Sequence, residues 1–252
     1  EIMACGGGVM IYDQPQRTGW LTGWHQDLFA DVASFCRKRQ PFCENTRSVP
    51  DAVVLNSERH VYANAAAPFN PGGTETLSPM QGAVHALLEN HYHVDIRDEA
   101  SLARQMDEYG LVVIAEQDPV GDEIIAAAED HARRGGAVLM TGLHIADRHP
   151  DFAGVRAAGA VMEGNWHLPV GRKAATVSDR WQPVITEDAT VYCPIMDQQE
   201  PDLNETQWPG VTIRRVGQGT IACIHGPVMA NFFASHHPRL RQFVDRLLRD
   251  LQ

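Results

Sequence analysis

The chain has 252 residues, of which 44% are hydrophobic, and this is enough sequence for one large domain or for an ordinary domain with an appendage. Its formal net charge of -11 at pH 7 disfavours binding to a phosphate backbone, so nucleic acid is not an expected partner. The sequence contains no apolar run of about 18 residues, so no membrane-spanning helix is expected.

The start of the chain and its cysteines bear on where the protein resides. The sequence opens with Glu-Ile-Met rather than with an initiator methionine and a basic leader, so we expect the natural polypeptide to extend upstream, and localisation stays open. The cysteines are odd in number and scattered, which favours reduced, buried thiols and a reducing compartment such as the cytoplasm. They are Cys5, Cys36, Cys43, Cys193 and Cys223.

The first part of the chain predicts a single β/α unit. Residues 9–12 form a short apolar, β-prone run that ends before Pro15, which is typical of a buried strand. Over residues 23–39, apolar side chains recur at helical spacing, and the helix is expected to end in a basic cluster before Pro41. Trp24 lies on the apolar stripe of this helix and is expected to pack in a core. One strand and one helix do not fold alone, so this unit needs further elements to pack against.

The remainder of the chain predicts an α/β domain with a doubly wound, mostly parallel sheet. Continuous apolar runs at residues 52–55, 111–115 and 137–140 are typical of central parallel strands. Segments with helical spacing alternate with these runs, and one helix is expected to begin at Asp118 and Pro119 and to end at a glycine pair. This alternation is the pattern of a doubly wound sheet.

The last third of the chain departs from this alternation. Between residues 147 and 209 the periodicity fades into short β-like pieces, which predict a small antiparallel excursion. Residues 211–216 and 220–224 flank a Gly-Gln-Gly turn and predict a hairpin. A final helix is expected from Pro238, with a strong apolar stripe along one face.

One turn at a predicted strand end deserves separate inspection, because doubly wound sheets carry their active sites there. The sheet order resembles the class I glutamine amidotransferase-like fold, in which a cysteine occupies the turn formed here by Thr141, Gly142 and Leu143. Leucine has no lone pair to attack a carbonyl, and His225 after the last sheet strand lacks an orienting carboxylate. These residues therefore look like a vestigial nucleophile elbow. An amidase that uses His225 with a nucleophile such as Cys223 is the alternative.

A family resemblance rests on three segments of the chain. The stretch GGAVLMTG at residues 135–142, with Asp147 shortly after it, and the hairpin VGQGTIA at residues 216–222 resemble the trimerisation domain of family 42 β-galactosidases. That domain has the amidotransferase-like fold without its cysteine, and the resemblance covers residues 48–251. Upstream, GGGVMIYDQP at residues 6–15 resembles the final strand of the (β/α)8 barrel in related bacterial α-L-fucosidases and β-galactosidases.

The resemblance implies a division of the chain and a role for each part. Residues 1–47 would be the last strand and helix of a catalytic TIM barrel, and residues 48–252 a non-catalytic domain that forms a homo-oligomer, by resemblance a trimer. Glycosidases need two carboxyl groups at one bond, and these would lie on earlier barrel strands, so no catalytic residue is assigned here. Asp13, Gln14 and Trp20 would form the rim of the sugar site, which makes carbohydrate the expected substrate.

One further interpretation remains open. A small-molecule or sugar-binding module without an assembly role could use a pocket near Ser57, Glu58 and Leu143.

Metal and cofactor sites are not expected. The histidine pairs lack the spacing of known metal motifs and have no carboxylate that would complete a site. The three glycines at residues 6–8 precede a predicted strand, whereas the glycines of a phosphate loop lead into a helix. The pairs are His91 with His93 and His236 with His237.

Overall fold

A computed structural model of the protein describes residues 2–4, 6–65, 74–199, 206 and 208–251. Cys5, one of the thiols considered above, lies outside the described residues. The chain divides into two compact units, Glu1–Val49 and Pro50–Gln252. The predicted division into a barrel segment (1–47) and an assembly domain (48–252) stays a prediction.

The N-terminal unit is built around one helix, α1 (Gly23–Cys43). The predicted helix is present, but it continues through Pro41 instead of ending at residue 39. A proline this close to the end of a helix removes only one backbone donor, and the Glu44 N–H still bonds to the Gln40 carbonyl oxygen at 2.9 Å.

The strand predicted over residues 9–12 is not formed in this unit. These residues have no ladder partner among the described residues, and Met10 is 89% exposed. Trp24, expected in a core, is 66% exposed, and no residue of α1 is buried. The physical reason is that a strand needs a neighbouring strand and an apolar helix face needs a covering surface, and the described part of this unit supplies neither.

The C-terminal unit contains all of the strands found among the described residues. They are β1 (Ala52–Leu55), β2 (Val94–Arg97), β3 (Leu111–Ala115), β4 (Ala137–Thr141), β5 (Val155–Ala157), β6 (Met162–Val170), β7 (Lys173–Trp181), β8 (Val184–Thr186), β9 (Thr190–Pro194), β10 (Pro209–Val216) and β11 (Gly219–Ile224). Its helices are α2 (Glu58–Asn64), α3 (Thr74–Glu89), α4 (Glu99–Gln105), α5 (Asp122–Arg133), α6 (Ile145–Arg148), α7 (Pro150–Ala153), α8 (Val228–Ser235) and α9 (Pro238–Leu251).

Within the described part of the chain, seven strands form the main sheet in the order β2-β1-β3-β4-β11-β10-β9. The pairs from β2 to β11 are parallel, and β10 is antiparallel to both of its neighbours. Side chains alternate between the two faces, so Val113 and Leu139 pack with α3, α8 and α9, while Val112 and Val138 pack with α4 to α7. The predicted α/β fold with a mostly parallel, doubly wound sheet is thereby confirmed.

The antiparallel excursion and the hairpin are also present as predicted. Strands β6 and β7 pair antiparallel over their whole length, as do β5 and β8, and both pairs lie outside the main sheet. Strands β10 and β11 form the hairpin. The apolar stripe of α9 is buried, which stabilises the end of the chain on one face of the sheet.

One boundary and two helices differ from the sequence prediction. Helix α5 begins at Asp122, with Gly121 as its N-cap, and not at Asp118 and Pro119, because the Asp118 carbonyl oxygen accepts from the Asn64 amide at 2.8 Å instead of from a helical N–H group. Helices α2 and α8 were not predicted, since both are short and follow polar or Gly/Pro-containing segments.

Among the described residues, no helix combines the length and the apolar character needed to cross a membrane.

Helices α3 and α8 approach each other closely at Gly82, which gives a test of the packing. A methyl group added to Gly82 would overlap the carbonyl oxygen of Met229 on α8. Alanine is favoured over glycine in a helix by about 1 kcal/mol, yet we expect Gly82→Ala to destabilise the protein by about 1–3 kcal/mol, measured by denaturant unfolding. Gly159→Ala, where an added methyl group meets no atom within 4 Å, is the control. A stabilised Gly82→Ala protein would show that the helices are not in this contact.

Candidate functional site

A cleft lies at the carboxyl ends of β3 and β4, where doubly wound sheets hold their ligands. Its volume is about 280 Å³. The walls come from α2, the turns after β3 and β4, α6, β7 and the residue before α8. The side chains that carry its chemistry are His60, Glu116, Thr141, Arg148 and Arg180.

Glu116 is the central side chain of the cleft. It directly follows β3 and has a φ of 52°, a left-handed conformation that is uncommon outside glycine. Its carboxyl oxygens accept hydrogen bonds from the backbone N–H groups of Met229 at 2.6 Å and Ala230 at 3.0 Å, and from the Thr141 hydroxyl at 3.2 Å. The N-cap residue of α8, Pro227, provides no side-chain cap, so Glu116 caps this helix from another element.

Two opposing effects set the protonation of Glu116. Burial disfavours the charged form, whereas the two backbone donors and the Thr141 hydroxyl favour it. Burial prevails and raises the pKa of Glu116 from 4.5 to about 7. The carboxyl group therefore changes charge near neutral pH while it remains partly open to the cleft.

The turn after β4 brings Thr141, Gly142 and Leu143 together at the wall of the cleft. Gly142 has a φ of 142°, and a Cβ at this position would lie 3.3 Å from the Cα of Glu116. Only glycine allows this close approach without strain. The carboxyl group beside the Thr141 hydroxyl is that of Glu116. Because Thr141 is 1% exposed and donates to a carboxyl group that also caps α8, the pair is a structural link rather than an activated nucleophile.

The wall formed by α2 is fixed by hydrogen bonds to the loop after β3. The Asp118 N–H donates to Nδ1 of His60 at 3.0 Å. Nε2 then donates to the carbonyl oxygen of Thr76 at 3.3 Å, and the Asn64 amide donates to the Asp118 carbonyl oxygen at 2.8 Å. His60 thus connects these segments with both ring nitrogens engaged.

Two arginines lie at the open side of the cleft. The Nε atom of Arg148 is 3.6 Å from the carboxylate of Asp118, and that of Arg180 is 3.5 Å from the carboxylate of Asp179. The arginine side chains are 63% and 50% exposed. Ion pairs this exposed contribute little to stability, so the fold does not depend on either guanidinium group.

The histidine and cysteine of the amidase alternative do not line this cleft. His225 is fully buried, with Nε2 hydrogen-bonded to the Thr212 hydroxyl at 3.0 Å, and burial lowers the pKa of its ring to about 3. Burial raises the pKa of the Cys223 thiol to about 12, so the thiol is neither ionised nor accessible.

The residues of the predicted small-molecule pocket are separated. Leu143 lines the cleft, whereas Glu58 is exposed on α2 and Ser57 is buried as the N-cap of that helix. The Ser57 hydroxyl donates to the carboxylate of Glu99, and its N–H donates to the Gln117 side chain at 2.5 Å. Ser57 is therefore committed to joining the ends of β1 and β3.

The residues predicted for a sugar rim lie in the N-terminal unit. Gln14 and Trp20 are exposed, Trp20 by 76%. The Asp13 carboxylate lies 3.1 Å from Nδ1 of His25, and the Trp24 ring meets the His25 ring edge-on at a centroid distance of 4.0 Å. His25 orients Asp13 and was missed by the sequence analysis.

The histidine pairs have separate surroundings. His91 and His93 lie in the connection between α3 and β2, and the Nδ1 atom of His236 is 2.5 Å from Glu89. Within the described residues, no group of three or more His, Cys, Asp or Glu side chains is arranged to hold a metal ion.

The fold has clear counterparts among solved structures. A scan of protein-family models gives no match for the sequence, and a search of curated proteins gives none either. Gan42B, a GH42 β-galactosidase from G. stearothermophilus, matches with a TM-score of 0.72 and 15% identity over 94% of this chain and 35% of its own. The α-L-fucosidase isoenzyme 2 from Paenibacillus thiaminolyticus matches with a TM-score of 0.70 and 18% identity, over 95% of this chain and 38% of its own. The exo-β-1,4-mannosidase Op5Man5 from Opitutaceae bacterium strain TAV5 matches with a TM-score of 0.63 and 16% identity, over 94% of this chain and 41% of its own.

The chain shares its fold with these enzymes. It spans between 35% and 41% of the length of these three structures. The coverage of this chain is too large for residues 50–252 alone, so the matched residues lie in both units.

Glu116 and the arginines of the cleft were missed by the sequence analysis. Glu116 directly follows the clearest predicted strand, so its place at a carboxyl end could have been noticed. Arg180 comes from the excursion strand β7, and no sequence pattern brings that strand to the end of β4.

The raised pKa of Glu116 predicts how its replacement depends on pH. The folded-state pKa of about 7 lies above the ordinary 4.5, so the stability from this group is full below pH 4.5 and is lost as the pH rises towards 7. Glu116→Gln does not titrate. The unfolding free energy of the wild type minus that of the variant should therefore fall by about 2–3 kcal/mol from pH 5 to pH 8.

The control for this measurement is Glu163→Gln, which removes one negative charge from an exposed position on β6. If the unfolding free energy of the wild type minus that of Glu116→Gln increases with pH, the hydrogen bonds from α8 have a larger effect on the pKa of Glu116 than burial has.

Proposed function

We propose that this chain is the C-terminal part of a glycoside hydrolase that acts on galactosyl or fucosyl glycosides. Residues 1–47 would complete a catalytic (β/α)8 barrel, and residues 48–252 would form a class I glutamine amidotransferase-like assembly domain without catalytic residues. The observation that carries the proposal is the match to a β-galactosidase and an α-L-fucosidase over 94–95% of this chain but only 35–38% of theirs.

The exposed side chains of the N-terminal unit support a barrel origin. The apolar face of α1 includes Trp24, Leu28 and Phe35, which are 66%, 51% and 54% exposed. Water contact with so much apolar surface is unfavourable, by about 25 cal/mol for each Å² that a neighbour could cover. The remaining elements of a barrel would cover this face and supply a strand to pair with residues 9–12.

The turn at Leu143 supports a domain without chemistry of its own. The turn after β4 presents leucine to the cleft, its threonine is engaged with Glu116, and His225 is buried elsewhere. The amidase alternative is not favoured, because Cys223 is buried and its thiol has a pKa of about 12.

The sugar rim belongs to the same proposal. Asp13, held by His25, and Gln14 would accept or donate hydrogen bonds to sugar hydroxyls, and the exposed Trp20 ring would cover the apolar face of a sugar.

Activity assays test where the chemistry lies. The proposal places the catalytic carboxylates before residue 1, so the full-length polypeptide should hydrolyse a nitrophenyl β-galactoside or α-fucoside, and residues 1–252 should not. Both proteins are assayed at equal molar concentration, with circular dichroism to show that the shorter one is folded. Hydrolysis by residues 1–252 would contradict the proposal, because the chemistry would then reside in this chain.

Light scattering coupled to size-exclusion chromatography tests the assembly role. A trimer closed by heterologous contacts should give three times the mass of one polypeptide and keep that mass on dilution. The measurement is made on the full-length polypeptide over a range of concentrations. A monomer at every concentration would remove the assembly role while leaving the glycosidase assignment to the activity assays.

A further inference from the structure

We propose that the cleft at the ends of β3 and β4 binds a small hydroxylated carboxylate of the sugar-acid class, with Glu116 receiving its hydroxyl groups and Arg148 and Arg180 its carboxylate. The residues that line this site belong to the C-terminal unit, and nothing in the assembly role requires it.

Glu116 supplies the acceptor side of the site. Its oxygens are held in place by the first turn of α8 and by Thr141, so the carboxyl group cannot turn away to solvent. In its ionised form it can only accept hydrogen bonds. Oε1 already accepts from Met229 and Thr141, whereas Oε2 accepts only from Ala230 among the described residues and has a further lone-pair direction. A ligand hydroxyl that enters the cleft therefore meets a fixed acceptor. The left-handed backbone at Glu116 is what aims the side chain there.

Arg148 and Arg180 supply the donor side. Their ion pairs are made by Nε at 3.6 and 3.5 Å, and neither guanidinium group makes a hydrogen bond to any part of the chain that the structure describes. The terminal N–H groups form the planar fork that matches a carboxylate. The partner carboxylates of Asp118 and Asp179 oppose an anion, and the exposed arginines can turn from them at little cost.

The size and lining of the cleft narrow the ligand class. A volume of about 280 Å³ lies at the small end of the range of ligand pockets, which suits a single monosaccharide-sized molecule. The described residues that line it include no Trp, Tyr or Phe, so the cleft offers no large aromatic ring on which a neutral sugar could stack. Recognition must then come from charge and hydrogen bonds, which favours a sugar acid over a neutral sugar.

Isothermal titration of residues 1–252 with galacturonate, galactose, acetate and inorganic phosphate tests the proposal. We expect galacturonate to bind saturably, and to bind at least 10-fold more tightly than each of the other three. Arg148→Gln and Arg180→Gln should each weaken galacturonate binding about 10-fold. Arg156→Gln should not, although Arg156 is similarly exposed at 64% and is also ion-paired, to Glu187 at 3.3 Å.

The pattern across ligands and variants decides the outcome. If galactose binds as tightly as galacturonate, the arginines do not contribute to binding. If phosphate or acetate binds as tightly as galacturonate, Glu116 does not hydrogen-bond to the hydroxyl groups of the ligand. Glu116→Gln should weaken galacturonate binding more than acetate binding, and thermal unfolding of each variant verifies that it is folded. No binding of galacturonate by a folded wild-type protein would overturn the proposal, and would leave the glycosidase and assembly tests unaffected.

Discussion

The contact of the Glu116 carboxyl group with α8 determines the geometry of the strand-end cleft. It joins the end of β3 to the first turn of α8 and to Thr141 at the end of β4, three elements far apart in sequence. Gly142 lies against the Glu116 backbone because it has no side chain. If this contact were absent, the first turn of α8 would have unpaired N–H groups, and the turn after β4 would lose its neighbour. The shape of the cleft is thus a consequence of one side chain and its hydrogen bonds.

The same contact explains why the turn carries no nucleophile. A catalytic residue there needs an accessible group and a base with a free lone pair. Here the candidate base is capping a helix, and the hydroxyl beside it is buried. The hydrogen bonds of Glu116 to α8 and Thr141 hold this turn in one arrangement. A rigid acceptor beside exposed arginines is nevertheless well suited to binding, because binding needs fixed partners and no proton transfer.

The sequence predicted the sheet well and the cleft poorly, for different physical reasons. Strands β1, β3 and β4 are continuous apolar runs because both of their faces are buried, and such runs are visible in sequence. The carboxyl ends were located by the same logic, and with them Thr141, Gly142 and Leu143. Glu116 was overlooked because a single acidic residue after a strand is usually solvated, and its role depends on α8, more than a hundred residues later. Residues 9–12 were predicted as a strand from local preference alone, but a strand forms only where a partner is present.

The two units therefore differ in how well the structure of each one matches the pattern of apolar residues in its sequence. Residues 50–252 bury their apolar side chains on both faces of one sheet, so their pattern and their structure agree. In the N-terminal unit an apolar helix face is exposed and a β-prone segment is unpaired, so pattern and structure disagree. A disagreement of this kind, apolar and large, indicates a surface that is selected to be covered. A barrel wall would supply the two elements missing from the described part of this unit, a neighbouring strand and a packed helix layer, and this is the physical argument for the proposed glycoside hydrolase origin.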